Sequence, residues 1–203
     1  EYMHAVWAEL YDMHGVRVLV SAGPTRAMID PVRYISNRSS GRMGYAVAEA
    51  AVHAGADVTL VSGPVALPPV DKARMVSVVS AADMAREMTL RAPEADIIIM
   101  AAAVADYTPK SYEPHKIKKG NGGMTLELVR TVDVLYELGK IKRDGQLLMG
   151  FAAATQDFEQ NALIKLRSKN LDVIALNDVS REGEGFDADQ NNIRLYFRDG
   201  RVQ

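Results

Sequence analysis

Along this 203-residue chain, short apolar runs alternate with stretches in which apolar side chains recur every three or four positions. The runs suit strands buried on both faces, and the spaced stretches suit helices with one face on a core. Residues 16–20 form the first run. A helix is predicted over 41–53, with Met43, Val47, Ala50, Ala51 and Ala54 on one face and Gly55 placed to end it. A strand over 57–61 follows, then a Gly/Pro loop, a strand over 75–79, and a helix from Ala81 behind the capping residue Ser80. Ile97-Ile98-Ile99-Met100-Ala101 is continuous, as a central parallel strand requires. Beyond it the pattern predicts a strand over 124–129, a helix over 134–142, a strand over 147–152, a helix over 157–169 and a strand over 172–176. The end reads as antiparallel: Ile193-Arg194-Leu195-Tyr196-Phe197, the turn Arg198-Asp199-Gly200, and a partner strand that has barely begun at Arg201-Val202. Before all of these, Tyr2, Val6 and Leu10 are four apart, an amphipathic spacing that precedes a turn at Asp12-Met13-His14-Gly15.

Strands alternating with helices imply an α/β domain: a mostly parallel, doubly wound sheet in three layers, Rossmann-like, with a C-terminal antiparallel β-element. Segments 21–23, 101–106, 151–155 and 177–180 all fall where a predicted parallel strand ends. In open α/β sheets, ligands bind outside the carboxyl ends of the strands, so these four segments converge on one edge.

Composition narrows the function classes. With 48% hydrophobic residues, the chain can bury one sizeable core, and two full domains are not expected. A net charge of -2 argues against general nucleic-acid binding. There is no cysteine, which excludes disulfides and thiolate metal sites and suits a reducing cytoplasm. The longest apolar run, near 97–104, is far short of a membrane span, so no membrane role is expected. No cleavable signal is visible, and the chain opens with Glu1, which points to a piece of something longer.

Chemistry is concentrated in a few stretches. Asp30-Pro31-Val32-Arg33-Tyr34-Ile35-Ser36-Asn37-Arg38-Ser39-Ser40-Gly41 leads into the first helical pattern. Ser39 and Ser40 are favoured N-cap types, and Gly41 lets backbone approach a ligand. A helix start presents unpaired N–H groups and a positive dipole end, so an anion such as phosphate is a natural occupant; a plain capped helix is the bland alternative. His115-Lys116-Ile117-Lys118-Lys119-Gly120-Asn121-Gly122-Gly123 is either a solvated charged hairpin or a flap whose lysines neutralise a polyphosphate. Lys165 and Lys169, four apart on a helix, repel each other unless an anion lies between them. Asp106 follows an alanine-rich strand end, where a carboxylate can bond a base or ribose, hold magnesium, or simply cap a loop.

The block Asp30 to Gly44 (Asp-Pro-Val-Arg-Tyr-Ile-Ser-Asn-Arg-Ser-Ser-Gly-Arg-Met-Gly) resembles the signature of bacterial phosphopantothenate–cysteine ligases. Three further blocks fit in order: Ala101-Ala102-Ala103-Val104-Ala105-Asp106-Tyr107, Lys116-Ile117-Lys118-Lys119 and Asn177-Asp178-Val179-Ser180. The resemblance implies CTP-dependent ligation of 4'-phosphopantothenate with cysteine through an acyl-cytidylate in coenzyme A biosynthesis, with Mg2+ screening the triphosphate. It implies that Lys116 is critical and binds nucleotide, and that Met100, Ala101, Ala102, Asp106, Val132, Asp133, Val134, Leu135, Phe151, Lys165 and Lys169 contact the nucleotide. It places Asn37 at the acyl intermediate, beside Ser39, Ser40 and Gly41, the candidate phosphate-binding residues read from the helix start. Metal ligands are not indicated. The family resemblance further implies a homodimer, and a flavin-dependent decarboxylase fused ahead of the ligase. On that reading 1–15 is a linker tail, or equally a simple N-terminal helix, and 16–203 is the ligase domain, apparently cut short at its end.

Three positions depart from the family pattern. Ala27-Met28 stands where Glu-Pro is usual, Val132-Asp133 where Pro-Asp is usual, and Ala154 where Glu is usual. Two competing readings remain: a nicotinamide or flavin oxidoreductase, and a non-catalytic interaction domain. The first needs G-x-G-x-x-G after the first strand and an acidic residue ending the second. Here the first strand leads into Gly-Pro-Thr, and the second ends in Ser62-Gly63.

Overall fold

The computed structural model describes residues 12–120, 122–154, 158–178 and 193–203. The helix predicted around 2–10, and positions 155, 157, 179 and 180, lie outside the described residues. The central feature is a seven-stranded sheet in the order β11-β10-β9-β6-β1-β4-β5. Its strands are β1 (Arg17–Ala22), β4 (Asp57–Ser62), β5 (Arg74–Ser77), β6 (Ile97–Met100), β9 (Leu147–Ala154), β10 (Val173–Asp178) and β11 (Ile193–Phe197). All neighbours are parallel except β10 and β11. Phe197 and Leu195 continue the antiparallel element by bonding Arg201 and Gln203 across the predicted turn. The mostly parallel α/β fold expected from the alternation is the one observed.

Helices cover both faces. α1 (Arg42–His53) packs with β1 and β4, burying Val18, Val20, Tyr45, Ala48, Val58 and Leu60. α2 (Ala81–Arg91), α3 (Val134–Ile141) and α4 (Phe158–Ser168) cover the other face, where Met84, Met88, Ile98, Leu138, Leu148, Leu166 and Ile174 meet. The chain winds outward from β1 through β4 to β5, then returns to β6 and winds the opposite way. The order therefore reverses between β1 and β6, and a crevice at such a switch point is where doubly wound folds bind ligands.

Four expectations need correcting. Neither Ser39 nor Ser40 caps α1: the N-cap is Gly41, at φ 83 with no side-chain cap bond. A residue there must adopt a left-handed conformation while passing close to Gly23 and Val65, and glycine meets both demands. The buried face of α1 is Gly44, Tyr45, Ala48 and Ala51, so of the predicted Met43, Val47, Ala50, Ala51 and Ala54 face only Ala51 is fully buried. A Cβ at Gly44 would lie 2.5 Å from that of Ala22, so the helix rests on β1 through a glycine that no hydrophobic pattern registers. The strand predicted over 124–129 is reduced to β8 (Leu128–Arg130), paired with the unpredicted β7 (Tyr107–Pro109). The segment expected as a loop between β1 and α1 contains a small hairpin, β2 (Arg26–Met28) with β3 (Tyr34–Ser36). Both pairs stand outside the main sheet, and β3 and β8 are exposed or half-buried along their length, too short for an apolar period to show.

Candidate active site

Backbone beyond β1 and β6 is laced together at the switch point. Ala103 donates to the carbonyl of Gly23 at 2.9 Å, and Thr25 donates to that of Ala103 at 3.3 Å. Two buried hydroxyls complete the lacing. Ser21 Oγ accepts from Ala102 N at 3.1 Å and contacts Met100 Sδ at 3.3 Å, while Thr25 Oγ1 accepts from Ala105 N at 2.9 Å. An irregular backbone at a sheet end needs such partners for its polar groups, and short hydroxyl side chains supply them in little space. Met100 is thereby buried, so its side chain is part of the support.

Asn37 reaches this loop from the other side. Its Nδ2 donates to the carbonyls of Ala103 at 3.1 Å and Val104 at 3.3 Å, which leaves Oδ1 for any further bond. Ser39 Oγ accepts from Gly41 N at 3.3 Å, so the Ser39–Ser40–Gly41 bend sits at the amino end of α1 above Gly23. Farther along, Thr131 N donates to Asp106 O at 2.9 Å and Thr131 Oγ1 to Ala105 O at 2.5 Å. Asp106 itself is exposed. These bonds bring Asn37, residues 101–106 and the start of α3 into one continuous surface.

Asp133 caps α3 by accepting from Tyr136 N at 3.0 Å, and it also holds Lys169 Nζ at 2.8 Å. The ammonium expected to face an anion from a ligand thus has one from its own chain, while Lys165 makes no ion pair among the described residues. Val134 is buried and Val132 exposed. Leu135 packs over Gly150, where an added Cβ would meet its Cδ2 at 2.7 Å, and the half-buried Phe151 follows on the other face of β9.

Lys116, Lys118 and Lys119 are exposed and unpaired among the described residues, but the base of their loop is held. Asp30, fully buried, accepts from the backbone of Val32 and Arg33 at 2.8 Å each through Oδ1. Its Oδ2 accepts from the Arg33 guanidinium at 2.9 and 2.5 Å and from Ile117 N at 3.2 Å. Arg33 in turn donates to Ile117 O at 2.8 Å. The Arg33 guanidinium, helped by the three backbone N–H groups, holds the Asp30 carboxyl far below the usual carboxylate range despite its burial. In the sequence, Asp30 and Arg33 stand within the 30–44 motif without a task of their own. The available signal was local: an Asp that accepts from N–H groups two and three residues on is a turn former.

The family described as the DNA/pantothenate metabolism flavoprotein C-terminal domain matches residues 13–203. This chain belongs to that family. It is 56% identical over 93% of its length to a Bacillus subtilis relative, the coenzyme A biosynthesis bifunctional protein CoaBC. The match covers 46% of that relative, so the chain spans about half the length of the curated relatives it matches. A crystal structure of the C-terminal domain of a CoaBC protein superposes with TM-score 0.80 at 44% identity, covering 94% of this chain and 86% of that one. A mutant of Cab2, in complex with phosphopantothenate-cysteine, shares the fold with TM-score 0.78 at 15% identity, covering 100% of this chain and 85% of that chain.

Within this flavoprotein C-terminal-domain family, the dinucleotide reading meets a specific obstacle in the geometry. At the end of β4, where that reading needs a carboxylate for a ribose, Ser62 accepts from the Tyr45 hydroxyl at 3.1 Å and donates to Gly63 O at 2.8 Å. No described helix is long and apolar enough to cross a membrane.

Proposed function

We propose that residues 16–203 form a phosphopantothenate–cysteine ligase domain that joins 4'-phosphopantothenate to cysteine at the expense of CTP. The observation that carries the reading is the meeting of Asn37 with the 103–104 carbonyls at the β1/β6 switch point, next to a lysine-bearing loop tethered at Ile117. Membership of the family supports it, as does the CoaBC name of relatives that share most of this chain.

A carboxylate is a poor electrophile, so amide formation needs activation first. The carboxylate oxygen attacks the α-phosphorus of CTP, the bond to the β-phosphate oxygen breaks, and pyrophosphate leaves. The cysteine amine then attacks the acyl carbon of the acyl-cytidylate and expels CMP, with loss of an amine proton. No side-chain nucleophile is needed. Lys116 lies on an exposed loop from which its ammonium can meet charge developing on the phosphoryl oxygens. Asn37 fits the acyl intermediate, holding it without competing as a nucleophile. The amino end of α1, with Ser39, Ser40 and Gly41, suits a substrate phosphate.

Mg2+ fits as an ion that arrives with the triphosphate. Among the described residues no three His, Asp or Glu side chains gather to hold a metal, and Asp106 is an exposed carboxylate beyond β6 able to take one position. Bound there with phosphate oxygens and water as its other ligands, the ion would neutralise triphosphate charge. The longer relatives, named bifunctional, support an upstream flavin-dependent decarboxylase in the full protein; a homodimer working in the cytoplasm completes the proposal.

The test is pyrophosphate release from CTP and 4'-phosphopantothenate, with and without cysteine. Release is expected in both cases, limited to about one equivalent per site without cysteine and sustained with it. No release above background in either case overturns the reading, and NADPH oxidation in its place would favour the oxidoreductase.

A further inference from the structure

We propose that Asp30 and Arg33 are positioning residues for Lys116. They form a two-point clamp on the backbone of Ile117 that fixes the lysine loop to the same segment that carries Asn37. The inference rests on the ligase reading for its kinetic consequence, and on geometry alone for the clamp itself.

The two oxygens of Asp30 have separate tasks. Oδ1 accepts from Val32 N and Arg33 N and so shapes the turn between β2 and β3. Oδ2 faces outward from that turn to the Arg33 fork and to Ile117 N. Arg33 closes the second point through Ile117 O. Ile117 is thus bound at both its N–H and its C=O, as a residue in a β-ladder would be, but by side chains from a segment 87 positions earlier. A neighbouring tie, Glu113 N to Ile29 O at 3.0 Å, holds the approach to the loop. Beyond Ile117, no hydrogen bond among the described residues holds Lys118, Lys119 or Gly120 to the rest of the chain. The held residue is the immediate neighbour of Lys116, so the clamp sets where that ammonium can reach.

A buried carboxylate and an arginine are a costly way to stabilise a surface turn, since a charge taken out of water needs complete compensation. A turn alone is served by Oδ1. The second oxygen and the guanidinium fork account for the loop, and this division makes a selective test available. Asp30→Asn can keep Oδ1 on the turn, but it places an NH2 group where Oδ2 accepted three donors. Arg33→Lys keeps a positive charge and loses the planar fork.

The experiment has two arms. In the first, hydrogen exchange on the unliganded wild-type protein is expected to show the Ile117 amide at least roughly tenfold slower than those of Lys118 and Lys119, a difference that Asp30→Asn removes. In the second, steady-state kinetics of the two variants, checked for an intact fold by circular dichroism, should show KM for CTP raised and kcat lowered, each roughly tenfold, because misplacement by about 1 Å is costly at a reacting centre. KM for 4'-phosphopantothenate should stay within about twofold, a split that a general loss of stability would not produce. Unprotected exchange at Ile117 in the wild type, or folded variants with unchanged kinetics in an active enzyme, overturns the clamp. A wild-type protein that releases no pyrophosphate overturns the ligase reading instead, and the exchange arm still decides the clamp.

Discussion

At the amino-terminal end of the parallel strands, charged side chains pair with one another. Arg17, opening β1, donates to Asp96 at 2.8 and 3.0 Å, and Arg143 stands 4.0 Å from the same carboxylate. Lys142 meets both oxygens of Asp172 at 2.8 Å, and Leu148 N donates to that carboxylate at 2.8 Å. Past the carboxyl-terminal end, two pairs, Asp30–Arg33 and Asp133–Lys169, stand beside cations that are left unmatched. Arg38, Lys116, Lys118 and Lys119 have no carboxylate partner among the described residues, while the uncharged loop groups around them are bonded in detail. Paired charges contribute stability and little field; unpaired ones contribute field and little stability. On the ligase reading, an end that receives a polyphosphate benefits from the second arrangement, because a like-signed cluster raises the local concentration of an anion.

Breaking one charge at each end should separate the two roles. The largest effect is expected from Lys116→Gln, which should cut turnover by about 10²–10³ while leaving the melting temperature within a degree or so, since an exposed unpaired side chain supports no packing. Wild-type turnover in that variant would remove the lysine from the chemistry. Next comes Asp172→Ala at the opposite end. It strands the mostly buried Lys142 ammonium and the Leu148 N–H together, and should cost about 2–4 kcal/mol of stability. Turnover per folded molecule should not change. Urea unfolding and active-site titration measure the two quantities separately, and a rate loss without a stability loss would erase the distinction between the ends.

Ligand protection sharpens the same contrast. Trypsin should cut the free protein at Lys116, Lys118 or Lys119 more readily than at Lys142, which is held by Asp172. Saturating CTP with magnesium should slow cleavage in the loop several-fold, CMP less so because it lacks the β- and γ-phosphates. Cleavage at the amino-terminal end of the sheet should not respond. An unchanged loop rate with nucleotide would return these lysines to a solvated hairpin.

The two ends also differ in how well the sequence reports them. Parallel strands announce themselves as apolar runs, because burial on both faces leaves no polar alternation, and 97–101 and 147–152 are placed almost to the residue. The convergence of strand ends followed from that alternation alone. What could not be read is whatever depends on small residues or long separations. Gly44 rotates the buried face of α1 by offering close approach to Ala22, and a glycine adds nothing to a hydrophobic period. The hairpins β2/β3 and β7/β8 have three-residue strands, shorter than any pattern can register. Lys169 looked available for a ligand because its partner Asp133 lies 36 positions away. The link from Asp30 to Ile117 has the same character: each residue is unremarkable locally, and only folding makes them neighbours.

The smallest effect expected is in the acid response of the two strongly depressed carboxyls, one at each end. Asp96 is lowered chiefly by its side-chain hydrogen bonds with Arg17, as Asp30 is by those with Arg33. A folded-state pKa below the unfolded value of about 4 means that the stabilisation is fully present above that pH. It is lost as pH falls from about 4 towards the folded-state values. Between pH 8 and 5, the stability difference between wild type and either Asp30→Asn or Asp96→Asn should therefore be constant, and below about pH 4 it should shrink in both. Salt tells the ends apart. The Asp96 side chain is 38% exposed and its partner 51%, whereas that of Asp30 is fully buried. Raising ionic strength to about 0.5 M shortens the screening length to a few ångströms, which reduces the contribution of an exposed pair more than that of a buried one. The Asp96→Asn difference should accordingly fall with salt while the Asp30→Asn difference persists. Equal salt sensitivity, measured by denaturant unfolding at both ionic strengths, would mean that Asp30 is as open to water as Asp96, and that its bond to Ile117 is a surface contact rather than a clamp.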